Sequence, residues 1–325
     1  MFIGACLRHL YSVMAVMRLF ALFACLTTSL GLIGCESVGG REPAVSYIPT
    51  ATPIPVAVPV PEMPVSRSLP SNFPSRPLAL PSSPPRTPHC ASACVMDALT
   101  GRVLYSHNGS QRRQVASTQK LVTALVVLDH GSLNSNVVIE PSDTHADPTK
   151  LGLRAGQTYN KGELLHALMV RSYNDVALAL ARDTAGSVPR FVNMMNAKAR
   201  SMGMYNSRFA NPNGLPADQY STAIDMARCA YFAYRNPSLR NMVCTPTFNF
   251  SLSSGRNTLL RNTNKLLEKY PWVTGMKTGY TNAAGRCLVS SGGVNGRHAI
   301  VVVLGCKPSL IWQESENLLK WALQI

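Results

Sequence analysis

The chain has 325 residues, 31 of them Lys or Arg against 16 Asp or Glu, so its formal charge is +15 although only 14% of its side chains are charged. With 46% apolar residues, wholesale disorder is excluded, and the length allows one large domain or two smaller ones with ample material for a core. The positive excess by itself does not choose between nucleic acid, an anionic membrane and an acidic polymer as partner.

Arg8 and Arg18 lead into an uncharged apolar run from Leu19 to Gly34. At about 16 residues it is short for a membrane span and suits the apolar region of an export signal. Residues 1–34 are therefore predicted to be a signal peptide. The run ends Leu32-Ile33-Gly34-Cys35, which resembles the lipobox of bacterial lipoproteins, whose cysteine is lipidated and becomes the mature N-terminus. Several acyl chains on Cys35 would anchor the chain stably to a membrane, on the periplasmic or cell-surface side. Residues 35–88 follow as a linker: 14 of the chain's 23 prolines lie between Arg41 and Pro88 with no helical or alternating period. Such a stretch extends in polyproline form, with a reach on the order of 100 Å.

The remaining residues, 89–325, are predicted to be the folded, catalytic part. They keep 25 basic and 13 acidic side chains, so the basic character belongs to this domain. In an exported chain it argues against nucleic acid as the partner.

Ala93 to Asn108 reads as strand, Leu-Thr-Gly turn, strand. Val115 to His130 carries Leu121, Leu125 and Leu128 at helical spacing and reads as a buried helix stopped by Gly131. Two helices are expected over 162–170 and 175–185, interrupted around Arg171 to Asn174. Further helices are expected over about 191–202 and 222–234, the latter with Ser221 as a candidate cap. Strands are expected at 273–280, 287–291 and 300–306, and a closing amphipathic helix at 314–323. Strands at both ends with helices between them give a single discontinuous α/β unit.

Six cysteines lie beyond Cys35, an even number that permits disulfides outside the cytoplasm. Cys90 and Cys94 lack a second pair at zinc spacing, so neither a metal nor another cofactor is expected. Cys287 and Cys306 flank a hairpin around Asn295-Gly296. With a two-residue turn Cys287 faces Leu304 and the thiols are diagonal and too far apart, whereas a four-residue loop would align them. The pairing stays open.

Three motifs carry chemistry: Ser117-Thr118-Gln119-Lys120, Ser172-Tyr173-Asn174 and Lys277-Thr278-Gly279. Lys120 falls on the same helix face as Ser117, three residues earlier. A serine hydroxyl needs an adjacent base, and a lysine desolvated beside another cation can supply one near neutral pH. Lys120 and Lys277 are the candidates for that crowded site. Ser172 and Asn174 sit where a helix breaks, so they can reach a cleft from a second lobe. At Gly279 the missing side chain is expected to let substrate approach the backbone.

With segments 97–101, 191–196, 211–215, 220–223, 262–267 and 275–281, these motifs resemble the D-alanyl-D-alanine carboxypeptidases, low-molecular-mass penicillin-binding proteins of serine peptidase family S11, over nearly all of residues 93–321. The resemblance implies a β-lactamase/transpeptidase-like α/β fold, an antiparallel sheet built from both chain ends, flanked by helices, with an all-helical lobe inserted. It implies Ser117 as nucleophile, Lys120 as acylation base, Ser172 and Asn174 for proton relay and substrate amide, and Lys277 for the local potential. Thr278 would bind the terminal carboxylate, and the N–H groups of Ser117 and Tyr280, beside Gly279, would form the oxyanion hole. The substrate implied is the peptidoglycan stem peptide, with β-lactam antibiotics as acylating mimics. Two departures stand out. Tyr173 replaces the family's usual glycine and is expected to narrow the cleft or alter substrate choice. Ser309-Leu310-Ile311-Trp312 lies where relatives often carry a carboxylate-binding arginine. The alternatives are a DD-endopeptidase using the same residues, and a non-catalytic peptidoglycan-binding lipoprotein, which need not keep the Ser117 and Lys120 pair.

Overall fold

The computed structural model describes residues 76–146 and 148–325. The predicted signal, Cys35 and the proline-rich stretch up to residue 75 lie outside the described residues.

Strands β1 (Ser92–Asp97) and β2 (Val103–His107) form the first hairpin, in which the N–H of Gly101 donates to the Asp97 carbonyl. A 3-10 turn over Ala116–Gln119 then enters α1 (Lys120–Asp129), whose residues 120–127 are all buried. A helix apolar all round must sit inside the protein, and α1 does. A small ribbon of β3 (Asn136–Val138) and β4 (Thr158–Asn160) leads to α2 (Lys161–Arg171), α3 (Asn174–Ala185) and α4 (Val188–Ser201). Then come α5 (Ala223–Arg235), α6 (Pro237–Val243), a second ribbon of β5 (Thr247–Ser251) and β6 (Asn257–Arg261), and the short α7 (Leu266–Lys269). Strands β7 (Val273–Thr281), β8 (Gly285–Val294) and β9 (Arg297–Cys306) and helix α8 (Ile311–Leu323) complete the chain.

The main sheet is antiparallel, in the order β2-β1-β9-β8-β7. Its strands come from both ends of the described chain, and the inserted lobe adds two short ribbons to its helices. Along β9, Ile300, Val302 and Leu304 join one apolar core with α1 and α5, while Ala299, Val301 and Val303 join a second with Leu318, Leu319 and Leu323 of α8. Burial on both faces explains why this strand reads as an unbroken apolar run.

Three details refine the expectations. The cap of α5 is Thr222, whose hydroxyl accepts the Asp225 N–H at 3.0 Å. Ser221 is instead tied by its backbone to Arg113. The cysteine question is settled by the faces of the sheet. Leu288 pairs with Val303, as the two-residue turn requires, but a bulge follows and sets Arg286 opposite Cys306. Cys306 thereby joins the α8-side core and Cys287 the other one. Cys306 forms a disulfide with Cys90, and Cys287 remains a buried thiol.

Residues 76–88, assigned to the linker by composition, pack on the domain. Leu78 is buried and its N–H donates to Asp97 Oδ2 at 2.9 Å, while Trp321 Nε1 of α8 donates to the Ser83 carbonyl at 2.8 Å. The disulfide fastens the end of this strap to the end of β9. It spans 216 residues of sequence, and a loop that long in the unfolded chain makes the crosslink worth about 2–5 kcal/mol. Cys90→Ala is expected to lower the unfolding free energy by that amount in denaturant titration. A reductant should lower the wild-type midpoint and leave the variant's unchanged.

Candidate active site

Ser117 lies on the 3-10 turn, where Ala116 takes a left-handed φ of 48° and the Thr118 hydroxyl donates to the Val115 carbonyl at 2.7 Å. Two glycines hold the turn by close approach. A Cβ on Gly214 would stand 2.4 Å from the Ala116 carbonyl oxygen, and one on Gly279 would stand 2.9 Å from the Ser117 nitrogen and 3.0 Å from that of Thr118. The side-chain direction at Gly279 is thus filled by the turn itself. β7 presses its backbone against the residue it serves.

Lys120 opens α1, and its Nζ donates to Ser117 Oγ at 2.9 Å, to Asn174 Oδ1 at 2.8 Å and to the Asn213 carbonyl at 2.6 Å. Its side chain is fully buried, as is that of Lys277 on β7. Burial above all, and then the charge of Lys277, holds the Lys120 amine well below the ordinary lysine value, with Asp175 pulling weakly the other way. Burial alone brings Lys277 down to about 7. Among the described residues neither lysine forms an ion pair, so no carboxylate in contact restores the charged state.

The second motif sits at the junction of α2 and α3. Ser172 ends α2 in a left-handed conformation with φ 67°, a backbone state that stops the helix and redirects the chain. Asn174 then starts α3 with its amide oxygen on Lys120. Among the described residues the buried Ser172 hydroxyl has no hydrogen-bond partner, which leaves it to meet a substrate or a proton. Tyr173, expected to narrow the cleft, is only 9% exposed, and its ring belongs to the main apolar core. The Asp175 carboxylate accepts N–H groups of Leu151, Gly152, Leu153 and Val176 at 2.9–3.2 Å, pinning a loop to the start of α3.

On β7, Lys277 Nζ donates to the Thr278 carbonyl at 3.1 Å, and the Thr278 hydroxyl donates to Thr263 Oγ1 at 2.7 Å. Tyr280 is half exposed, with the Arg286 guanidinium 4.3 Å above its ring. Ile311 and Trp312 pack into the α8-side core, so the stretch 309–312 brings no cation to the cleft. Motif reading missed three contributors: the Asn213 carbonyl, Gly214 and Thr263. Each lies in a segment quoted for the family resemblance, but no local pattern shows that a loop carbonyl meets a lysine 93 residues away.

The arrangement can activate a serine. A buried amine with a weakened hold on its proton sits 2.9 Å from the hydroxyl, the arrangement a serine nucleophile needs.

A family model described as D-alanyl-D-alanine carboxypeptidase, Peptidase S11, matches residues 80–308. The chain is 34% identical over 220 residues to the D-alanyl-D-alanine carboxypeptidase DacF of Bacillus subtilis, covering 66% of this chain and 57% of that one. It is equally 34% identical over 220 residues to a D-alanyl-D-alanine endopeptidase of Escherichia coli, covering 66% and 70%. The fold is similar to a crystal structure of a D-alanyl-D-alanine carboxypeptidase from Mycobacterium tuberculosis, with TM-score 0.72, 30% identity and coverage of 76% of this chain and 96% of that one.

Gly279→Ala forces a Cβ into the Ser117 turn. We expect the second-order rate of acylation by a labelled penicillin to fall by about 100-fold, as displacements on the order of 1 Å at a reacting group do, with the unfolding midpoint reporting whether the fold persists.

Proposed function

The chain belongs to peptidase family S11, the D-alanyl-D-alanine carboxypeptidases, and we propose that Ser117 is the nucleophile with which it removes the terminal D-alanine from peptidoglycan stem peptides. The observation that carries this reading is the 2.9 Å contact between Ser117 Oγ and the buried Lys120 Nζ.

Lys120, as a neutral amine, takes the proton of Ser117 while Oγ attacks the carbonyl carbon of the penultimate D-alanine. Negative charge on the carbonyl oxygen is met by the N–H groups of Ser117 and Tyr280, the electrostatic contribution that usually dominates such reactions. Asn174 holds the substrate amide, and Thr278 with the positive field of Lys277 holds the terminal carboxylate. The Ser172 hydroxyl relays the proton from Lys120 to the leaving nitrogen, the C–N bond breaks and D-alanine departs. Water then attacks the acyl-enzyme, giving its proton back through Lys120, and the shortened peptide leaves. A β-lactam enters by the same attack and stays as the Ser117 ester. No metal or other cofactor takes part in this scheme.

The site of action is the outer face of a membrane. Residues 1–34 direct export, lipid on Cys35 anchors the chain, and residues 35–75 lead from the anchor to the catalytic domain, which takes in the strap from residue 76 onward. This rests on the sequence pattern, and no described helix is long and apolar enough to cross a membrane. The 34% identity to an endopeptidase favours a second reading, in which the same residues cut the D-alanyl bond of a cross-link.

A labelled penicillin should attach covalently to Ser117 and attachment should be lost in Ser117→Ala; label persisting in that variant would contradict the mechanism. Incubation with uncross-linked and cross-linked muropeptides separates the two readings. A carboxypeptidase releases D-alanine from the first and leaves the second intact.

A further inference from the structure

β7 is an edge strand, paired on one side by β8 alone. An extended peptide can add to such an edge by main-chain hydrogen bonds, its side chains alternating between the two faces. The direction of a bound stem peptide follows from the proposed roles, on which this inference rests. The terminal carboxylate lies at Thr278 and the reacting carbonyl at the Tyr280 N–H. The rest of the peptide therefore continues past Tyr280 toward the turn at Asn282. A side chain one residue further back on the Tyr280 face comes within reach of what stands there.

What stands there is a cation on an aromatic platform. Arg286 is the register partner of Tyr280 on β8, and its guanidinium crosses to the edge strand 4.3 Å above the exposed ring. The Tyr280 hydroxyl donates to Asn282 Oδ1 at 2.9 Å, which steadies the ring. Among the described residues Arg286 has no carboxylate at ion-pair distance. A guanidinium stacked by its face keeps its edge N–H groups for a planar anion.

In stem peptides the residue before D-alanyl-D-alanine is a diamino acid. Its side chain ends either in a bare amine, as in lysine, or in a carbon bearing both amine and carboxylate, as in diaminopimelate. An unpaired guanidinium repels the first and can hold the second by a paired, charge-assisted hydrogen bond. We propose that the Tyr280 and Arg286 pair is a subsite for this side-chain carboxylate, which makes the enzyme selective for diaminopimelate-bearing over lysine-bearing stems.

The test compares kcat/KM for two D-alanyl-D-alanine peptides that differ only in diaminopimelate or lysine at the third position. In the wild type the ratio should favour diaminopimelate by roughly tenfold, the order expected of one exposed charged hydrogen bond. It should fall toward one in Arg286→Ala and be partly retained in Arg286→Lys. If Arg286→Ala lowers the unfolding midpoint, Arg286→Gln, which keeps the stacked length without the charge, carries the comparison. A wild-type ratio near one, or a preference that survives loss of the charge, overturns the subsite and leaves the proposed activity standing. Failure of the wild type to cleave either peptide overturns both.

Discussion

Two lysines are buried side by side in the catalytic domain with no carboxylate in contact among the described residues, and the rest of the site depends on how that is tolerated. A buried ammonium costs several kcal/mol unless it is paired or gives up its proton. Lys120 answers with three acceptors, Ser117 Oγ, Asn174 Oδ1 and the Asn213 carbonyl, and with a proton affinity lowered by burial and by Lys277. The same desolvation that weakens its hold on a proton suits it to act as a base.

Those acceptors come from three separate parts of the chain: the turn before α1, the start of α3 and the loop before α5. Lys277 arrives from a fourth, near the other end of the main sheet's sequence. The site therefore exists only once β7 to β9 have closed on β1 and the helical lobe has docked on the sheet. Gly214 and Gly279 show how tight that closure is, since each brings a backbone into contact with the Ser117 turn that any side chain would prevent. On the far face of the sheet, the strap and the Cys90–Cys306 bond secure the β9 end that closure requires.

Much of this was legible in the sequence because it is local. The spacing of Ser117 and Lys120, the break at Ser172 and the apolar run of β9 each follow from one helix or strand and its period. The strands of the main sheet, α1 to α5 and α8 stand where their patterns place them, whereas no pattern marked the short α6 and α7. What was not legible depends on distant partners. The four-residue difference between Cys90 and Cys94 says nothing of Cys306, which only a bulge in β9 turns toward Cys90. That Gly279 must also let β7 approach the Ser117 turn could not be read locally, since that turn lies more than 150 residues earlier. Tyr173, beside two polar site residues, looked like part of the cleft, and its ring went to the core because nothing local outweighs burying an aromatic side chain. The ribbons β3–β4 and β5–β6 have strands of three to five residues, too short for a period to show.

The central claim is that burial beside Lys277 weakens the hold of Lys120 on its proton, so that it can serve as the base for Ser117. The most direct measurement is a pH titration of the lysine ε-carbons by 13C NMR, with Lys120 assigned through Lys120→Arg. The account predicts that Lys120 titrates well below the ordinary value of 10.5 and Lys277 at about 7. In Lys277→Ala, removal of the neighbouring positive charge should raise the Lys120 midpoint. A Lys120 midpoint close to 10.5, or one that does not rise when Lys277 is removed, would contradict it.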